Sequence, residues 1–162
     1  MRMVFSVIIS IMREDDVRTA LSDPMIAIGT DSPARAEDGP LSQSKSHPRG
    51  WGSFARILGT YVRDEKLISL EEAIRRFTSR PAARVGIVDR GILRPGMKAD
   101  VTVFDPLRIR DISTFADPNH YSQGVVHVFV NGRPAVSTGH ITNERAGEVV
   151  RGRAHRIKPA VS

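Results

Sequence analysis

The chain has 162 residues, of which 40% are hydrophobic and 26% charged, and its 24 Lys and Arg against 18 Asp and Glu give a net charge of +6. This composition is typical of a globular protein and excludes collagen-like and fully disordered chains, while the length excludes a complete (β/α)8 barrel, which needs at least about 200 residues. The absence of cysteine excludes thiolate zinc sites and cysteine nucleophiles, so any metal must bind through nitrogen and oxygen.

The first part of the sequence predicts strands and a helix of the α/β kind. The apolar, β-branched residues 4–12 predict a strand buried on both faces, because the run is too short to cross a bilayer and acidic residues follow where a signal peptide would be cleaved. Residues 14–21 predict a short helix, and residues 25–29 predict a second buried strand. Residues 30–50 lack hydrophobic periodicity and predict a long loop. We therefore expect a cytoplasmic protein without a membrane partner.

Three helical signals follow the loop. Apolar residues at positions 54, 57, 58, 61 and 62 form one stripe, which predicts a helix that faces the core. Ser69 followed by Glu72 predicts a capping box and a helix from Leu70. Pro81 suits the first turn of a further short helix that Gly86 can end.

The pattern changes from helical to alternating after about residue 86. Residues 101–104 and 125–130 predict strands, and Asn131-Gly132 predicts a type I′ turn into a strand at residues 133–136. The basic residues 145–158 predict a poorly ordered tail. The predicted division is residues 1–86 as the α/β part, residues 87–145 as a small β module and residues 146–162 as the tail.

Two residues of the long loop are candidates for chemistry. Asp31 lies where an apolar strand ends, at the edge of the sheet where α/β folds gather ligands, so it is a candidate metal ligand or general base. Position alone favours a turn or capping role for Asp31 instead. His47 is the other candidate, and the remaining four histidines have no spacing that suits a shared metal. No nucleic-acid partner is expected, because no nucleic-acid-binding motif accompanies the positive charge.

Five segments of the sequence resemble one family. They are IGTDS (residues 28–32), HPRGWGSF (47–54), ISLEEAIRRFTSRPAARVGI (68–87), RGILRPGMKADVTVFDP (90–106) and VFVNGRPAV (128–136). Together they resemble the carboxyl-terminal part of the N-acyl-D-amino-acid deacylases, or D-aminoacylases, of the metal-dependent amidohydrolase superfamily. The segment from residue 90 is shared by many amidohydrolases, whereas the first two segments are narrower and indicate the D-aminoacylase branch.

The resemblance implies an activity and a set of site residues. The expected reaction is zinc-dependent hydrolysis of the amide bond of an N-acyl-D-amino acid. Asp31 matches the aspartate that contacts metal and shuttles a proton, and Ser32, His47 and Arg49 are expected to line the substrate pocket. Asp100 is expected to be structural, at the turn into the strand that begins at residue 101.

The resemblance also implies an incomplete catalytic unit. The superfamily's amino-terminal HxH ligands have no counterpart here, whereas catalytic zinc needs about three protein ligands. The expected fold is α/β, or α+β as an isolated fragment, with the last strands and helices of an incomplete TIM-type barrel followed by a small antiparallel β module. We expect the chain alone to be inactive and to need an amino-terminal half as partner. Two alternatives stay open, a non-catalytic basic binding module and a degenerate remnant without function.

Overall fold

The computed structural model describes residues 12–39 and 42–151. The helices are α1 (Glu14–Ser22), α2 (Arg49–Arg56), α3 (Leu70–Phe77) and α4 (Ser79–Arg84), and a π-helix, Ile57–Asp64, directly continues α2. The strands are β1 (Val101–Phe104), β2 (Val125–Val130), β3 (Arg133–Ser137) and β4 (His140–Ile141). The described residues therefore form helices followed by a small sheet, which is the α+β arrangement expected of the isolated chain.

Local signals fix the ends of α3 and α4. The Ser69 hydroxyl accepts a hydrogen bond from the Glu72 backbone N–H at 3.2 Å, which satisfies one of the free donors at the start of α3. Pro81 lies in the first turn of α4, where its missing N–H costs nothing. Gly86 follows the end of α4 with φ of 73°, a left-handed conformation that glycine adopts without strain. Both predicted helices are thus confirmed.

The four strands form one antiparallel sheet in the order β1-β2-β3-β4. Val101 lies opposite Phe129 in the pairing of β1 with β2. Asn131 and Gly132 have φ of 50° and 80°, as the predicted type I′ turn requires. The Asp100 carboxylate accepts the Asn131 backbone N–H at 2.8 Å and binds Arg90, so Asp100 has the structural role expected of it.

The core lies among α1, the α2–π-helix unit and α3. Its buried apolar residues are Leu21, Ala55, Ile57, Leu58, Tyr61, Ala73 and Ile109. Three of the five stripe residues named from the sequence are among them, whereas Phe54 is 41% exposed and packs edge-on against Phe77. Ile109 comes from the connection between β1 and β2, so the β half contributes directly to this core.

The predicted strand at residues 25–29 is wrong. No strand is assigned among residues 12–39, and Met25 is 75% exposed. A buried strand needs a neighbouring strand to bind its backbone, and helical residues take that place here. The Ile28 N–H donates to the Arg76 carbonyl at 3.4 Å, and the Arg80 guanidinium donates to the Met25 carbonyl at 2.6 Å. The other predicted strand, residues 4–12, lies outside the described residues except for Met12, which is exposed coil.

The described end of the chain is hydrogen-bonded to the β2–β3 turn and to Arg90. Residues 142–151 form no helix or strand, but the Asn131 side chain donates to the Ala146 carbonyl at 2.7 Å. Glu148 accepts from Arg90, also at 2.7 Å. None of the helices in the described residues is long and apolar enough to span a membrane.

Candidate functional site

Asp31 follows an extended segment and has an exposed carboxylate. Its φ of 47° lies in the left-handed region, which Asp and Asn tolerate better than most residues. The side chain is 89% exposed, and its Oδ2 lies 2.7 Å from a terminal nitrogen of Arg49. The same nitrogen donates to the Asp31 backbone carbonyl at 3.1 Å. The guanidinium therefore binds both the backbone and the side chain of this unusual turn.

The start of α2 places Arg49 beside Asp31. Pro48 precedes the helix with φ of −53°, a value that proline fixes and that suits a helix start. Arg49 is the first residue of α2, and its backbone N–H donates to His47 Nδ1 at 3.0 Å. The His-Pro-Arg sequence thus forms a compact turn from which the Arg49 side chain reaches Asp31.

The surroundings of His47 favour its neutral imidazole. Burial, and then the nearby positive charge of Arg49, lower the pKa of His47 below its ordinary value of 6.5. Because Nδ1 accepts a hydrogen bond, the ring proton resides on Nε2. The ring packs edge-on against Phe115, with the centroids 5.0 Å apart. His47 can therefore offer an N–H donor or an apolar ring face to a ligand at neutral pH.

Ser32 lies against the same helix start. Its hydroxyl donates weakly to the Pro33 carbonyl at 3.3 Å. A Cβ atom on Gly50 would collide with the Ser32 hydroxyl, so glycine at position 50 permits the approach of the two segments. The structure thus brings together the four residues named from the sequence, Asp31, Ser32, His47 and Arg49.

An open apolar cavity of about 970 Å³ borders this cluster. Residues of α2, α3 and β1 line it, as do Thr30, Arg49 and Gly50. Most of the remaining lining is hydrophobic, with Phe54, Ile74 and Val101 among the contributors. Of the four clustered residues, Arg49 lines this cavity, and the other three are its neighbours in sequence or in space.

The described residues do not provide a metal site by themselves. Across residues 12–39 and 42–151, no group of three or more His, Asp or Glu side chains is placed to hold a metal ion. Asp31 offers one carboxylate, and its Oδ2 already binds Arg49. A zinc ion with three protein ligands thus requires groups beyond those described here.

The β half also reaches this cluster, which the sequence alone does not indicate. Phe115 and Tyr121, from the connection between β1 and β2, contact His47 and Trp51 in edge-on aromatic pairs, with ring centroids 5.0 and 5.5 Å apart. The two segments are about seventy residues apart, and no short-range pattern predicts such a contact. The closely spaced aromatic and polar residues of 115–121 are the only sequence signal that marks the segment.

Comparison with known proteins places these residues in a family. The model of the amidohydrolase family matches residues 10–136. The N-acyl-D-aspartate deacylase of Alcaligenes xylosoxydans xylosoxydans is 39% identical over 140 residues, which cover 86% of this chain and 27% of that protein. The N-acyl-D-glutamate deacylase of the same organism is 40% identical over 121 residues, or 75% of this chain and 23% of that protein.

Solved structures agree with these matches. A crystal structure of D-aminoacylase superposes with a TM-score of 0.78 and 37% identity, over 86% of this chain and 28% of that one. N-acyl-D-glutamate deacylase from Bordetella bronchiseptica, in complex with zinc and a phosphonate mimic of the tetrahedral intermediate, gives a TM-score of 0.69 and 38% identity, over 80% of this chain and 27% of that one. The chain spans about a quarter of the length of the relatives it matches. With the family model covering most of its length, the chain belongs to the amidohydrolase family.

Proposed function

We propose that this chain supplies the part of an N-acyl-D-amino acid deacylase that carries the proton-transferring aspartate, Asp31. The observation that carries the proposal is the contact between Asp31 and Arg49, at 2.7 Å. It joins two separate motifs, IGTDS and HPRGWGSF, in one solvent-accessible cluster. Both motifs lie within the residues that the family model matches.

The proposed substrates are N-acyl-D-amino acids as a class. The relatives are N-acyl-D-aspartate deacylase, N-acyl-D-glutamate deacylase and D-aminoacylase, and their identities to this chain are 39, 40 and 39%. Such similar values support the common reaction, cleavage of the amide bond, and do not favour one side chain over another. The apolar cavity beside the cluster offers room for the acyl group or the amino-acid side chain.

Asp31 would carry the proton between water and the leaving amine. A carboxylate beside the attacking water accepts its proton as the carbon–oxygen bond forms, and returns it to nitrogen as the carbon–nitrogen bond breaks. The carboxylate of Asp31 is accessible to water, and the Arg49 ion pair restrains its orientation. Ser32, His47 and Arg49 would line the substrate pocket around it.

Zinc would be held only when further ligands are supplied. Because the described residues offer Asp31 and no three-residue cluster, we propose that the isolated chain is inactive. The deacylase would form when residues equivalent to the amino-terminal part of the relatives complete the barrel and the metal site.

Two measurements on the isolated chain test this proposal. Elemental analysis after incubation with zinc and desalting should find much less than one ion per chain, and no N-acetyl-D-amino acid should be hydrolysed. A stoichiometric zinc complex with deacylase activity that a chelator removes would overturn the proposed dependence on an amino-terminal part.

Kinetics of the enzyme completed with its amino-terminal part distinguish the roles of His47 and Asp31. His47→Ala should raise KM more than it lowers kcat if the imidazole only binds substrate, because uniform binding affects KM. An Asp31→Asn enzyme should instead lose kcat. A loss of kcat in His47→Ala together with a raised KM in Asp31→Asn would assign proton transfer to His47 and substrate binding to Asp31.

A further inference from the structure

The connection between β1 and β2 crosses over the loop that carries His47. We call residues 111–123 the crossing segment, and the described residues 30–39 and 42–48 the site loop. The crossing segment is firmly anchored, since Pro118 is almost completely buried and Ile109, just before it, is a core residue. Arg110 and Gln123 exchange two backbone hydrogen bonds, of 3.1 and 3.0 Å, where the segment begins and ends.

The site loop has no regular structure of its own. The described residues from 26 to 47 form neither helix nor strand. Backbone groups in such a loop must bind water or side chains, so the position of the loop depends on contacts from elsewhere.

Asn119 of the crossing segment provides the central contact. Its side-chain amide donates to the Ser42 carbonyl at 2.8 Å and to the Ser44 carbonyl at 3.4 Å. The site loop also donates to the crossing segment, since the Lys45 ammonium donates to the Ala116 carbonyl at 2.6 Å. These bonds fix the loop immediately before His47.

Aromatic and polar contacts flank Asn119 on both sides. Phe115 packs edge-on against His47, with ring centroids 5.0 Å apart. The Tyr121 N–H donates to the Glu37 carboxylate at 2.6 Å, and the Tyr121 hydroxyl accepts the Glu37 N–H at 3.3 Å. The crossing segment thus binds the site loop at three points, near residues 37, 42–45 and 47.

We propose that Asn119 is a positioning residue that holds His47 in place through the site loop, so that the β half determines the geometry of the site. The inference rests on the proposed function for the role of His47. It names a new link, because the two segments come from different halves of the chain and neither motif of the site contains Asn119.

Asn119→Ala in the full chain tests the link without requiring activity. Loss of the two donors should raise the population of the open loop, and trypsin cleavage of the Lys45–Ser46 bond should accelerate about tenfold. Cleavage after Arg84, at the end of α4, should be unchanged. The His47 pKa, followed by NMR, should rise toward 6.5 as the ring leaves its half-buried position beside Phe115 and Arg49.

Ser113→Ala is the matched control, because the Ser113 hydroxyl donates to the His120 carbonyl within the crossing segment itself. It should change neither the Lys45–Ser46 cleavage nor the His47 pKa. If circular dichroism shows that Asn119→Ala is unfolded, Tyr121→Phe replaces it, since that variant loses only the bond from Glu37 and should accelerate cleavage about threefold.

Two results would overturn the inference. One is a folded Asn119→Ala variant whose Lys45–Ser46 cleavage rate and His47 pKa equal those of Ser113→Ala. The other is an equal acceleration at Lys45 and at Arg84, which would indicate general loosening instead of a specific link. Failure of the proposed function would appear separately, as a completed enzyme without deacylase activity.

Discussion

Arg75 and Arg76 are neighbours on α3 that bind the same carboxylate, yet only Arg76 is buried. The Arg76 side chain is 2% exposed, and it donates to Glu72 Oε1 at 2.6 Å and to the Leu21 carbonyl at 2.7 Å. Arg75 is 43% exposed and reaches Glu72 at 2.7 Å. Hydrogen bonds from Arg75 and then Arg76 lower the pKa of Glu72 to about 2.

Truncation of Arg76 should therefore be far more damaging than truncation of its neighbour. Arg76→Ala removes the donor that binds the last turn of α1 and leaves a void in the core. Leaving the buried Leu21 carbonyl without its donor costs about 1–3 kcal/mol, and the void in the core adds to that loss. The backbone carbonyl of Arg76, which accepts the Ile28 N–H, is present in both variants, so the comparison measures the side chain alone.

Urea unfolding followed by circular dichroism measures the difference. We expect Arg76→Ala to lower the free energy of unfolding by about 2–4 kcal/mol, from the lost hydrogen bond to Leu21 and the void together. Arg75→Ala is the matched control, with a change near the detection limit because an exposed ion pair contributes little. Equal losses in the two variants would refute the assignment of Arg76 as a core anchor.

Three further predictions concern single positions. Gly59→Ala should lower the free energy of unfolding by about 1–3 kcal/mol, because its Cβ would lie 2.6 Å from the Ile109 carbonyl oxygen. Gly29→Ala is the control, and it should leave the free energy of unfolding nearly unchanged because its Cβ would have no atom within 4 Å. The lowered His47 pKa favours the neutral ring in the folded state, so this residue's contribution to stability is present above pH 6.5 and lost as the pH falls below it. Burial and Arg49 both penalise the protonated ring, and glutamine cannot be protonated. Urea titrations of His47→Gln and the unmutated chain should therefore run parallel above pH 6.5, whereas below it the unmutated chain should lose stability relative to the variant; curves that stay parallel throughout would contradict the assignment. Asp31→Ala should cost about 1 kcal/mol because alanine resists the left-handed φ of 47°, whereas Asp31→Asn should be nearly neutral; thermal melts that rank them in reverse would contradict this reason.

Local sequence signals predict much of the fold correctly. The Ser69 cap and the Asn131-Gly132 turn depend on contacts within a few residues, and both are present as predicted. The two motifs also point to the same cluster, since Asp31 and Arg49 meet in the structure. Each of these features depends on backbone preferences or on short motifs, which can be recognised without knowledge of the rest of the chain.

The features that sequence reasoning misses depend on distant contacts. Residues 25–29 have the composition of a buried strand, but Arg76 and Arg80 bind their backbone in place of a strand. Arg76 itself is charged, and only its two partners explain its burial. Asn119 is similar, because its role depends on carbonyl groups more than seventy residues away.

Complementation of the chain tests its proposed part in catalysis most directly. The chain would be mixed with the amino-terminal three quarters of a D-aminoacylase relative and with zinc, and hydrolysis of an N-acetyl-D-amino acid would be measured. We predict activity with the unmutated chain and a loss in kcat of about 10²–10⁴-fold with Asp31→Asn, the range typical of general acid–base catalysis. An Asp31→Asn chain that restores the full kcat would contradict the role proposed for this carboxylate.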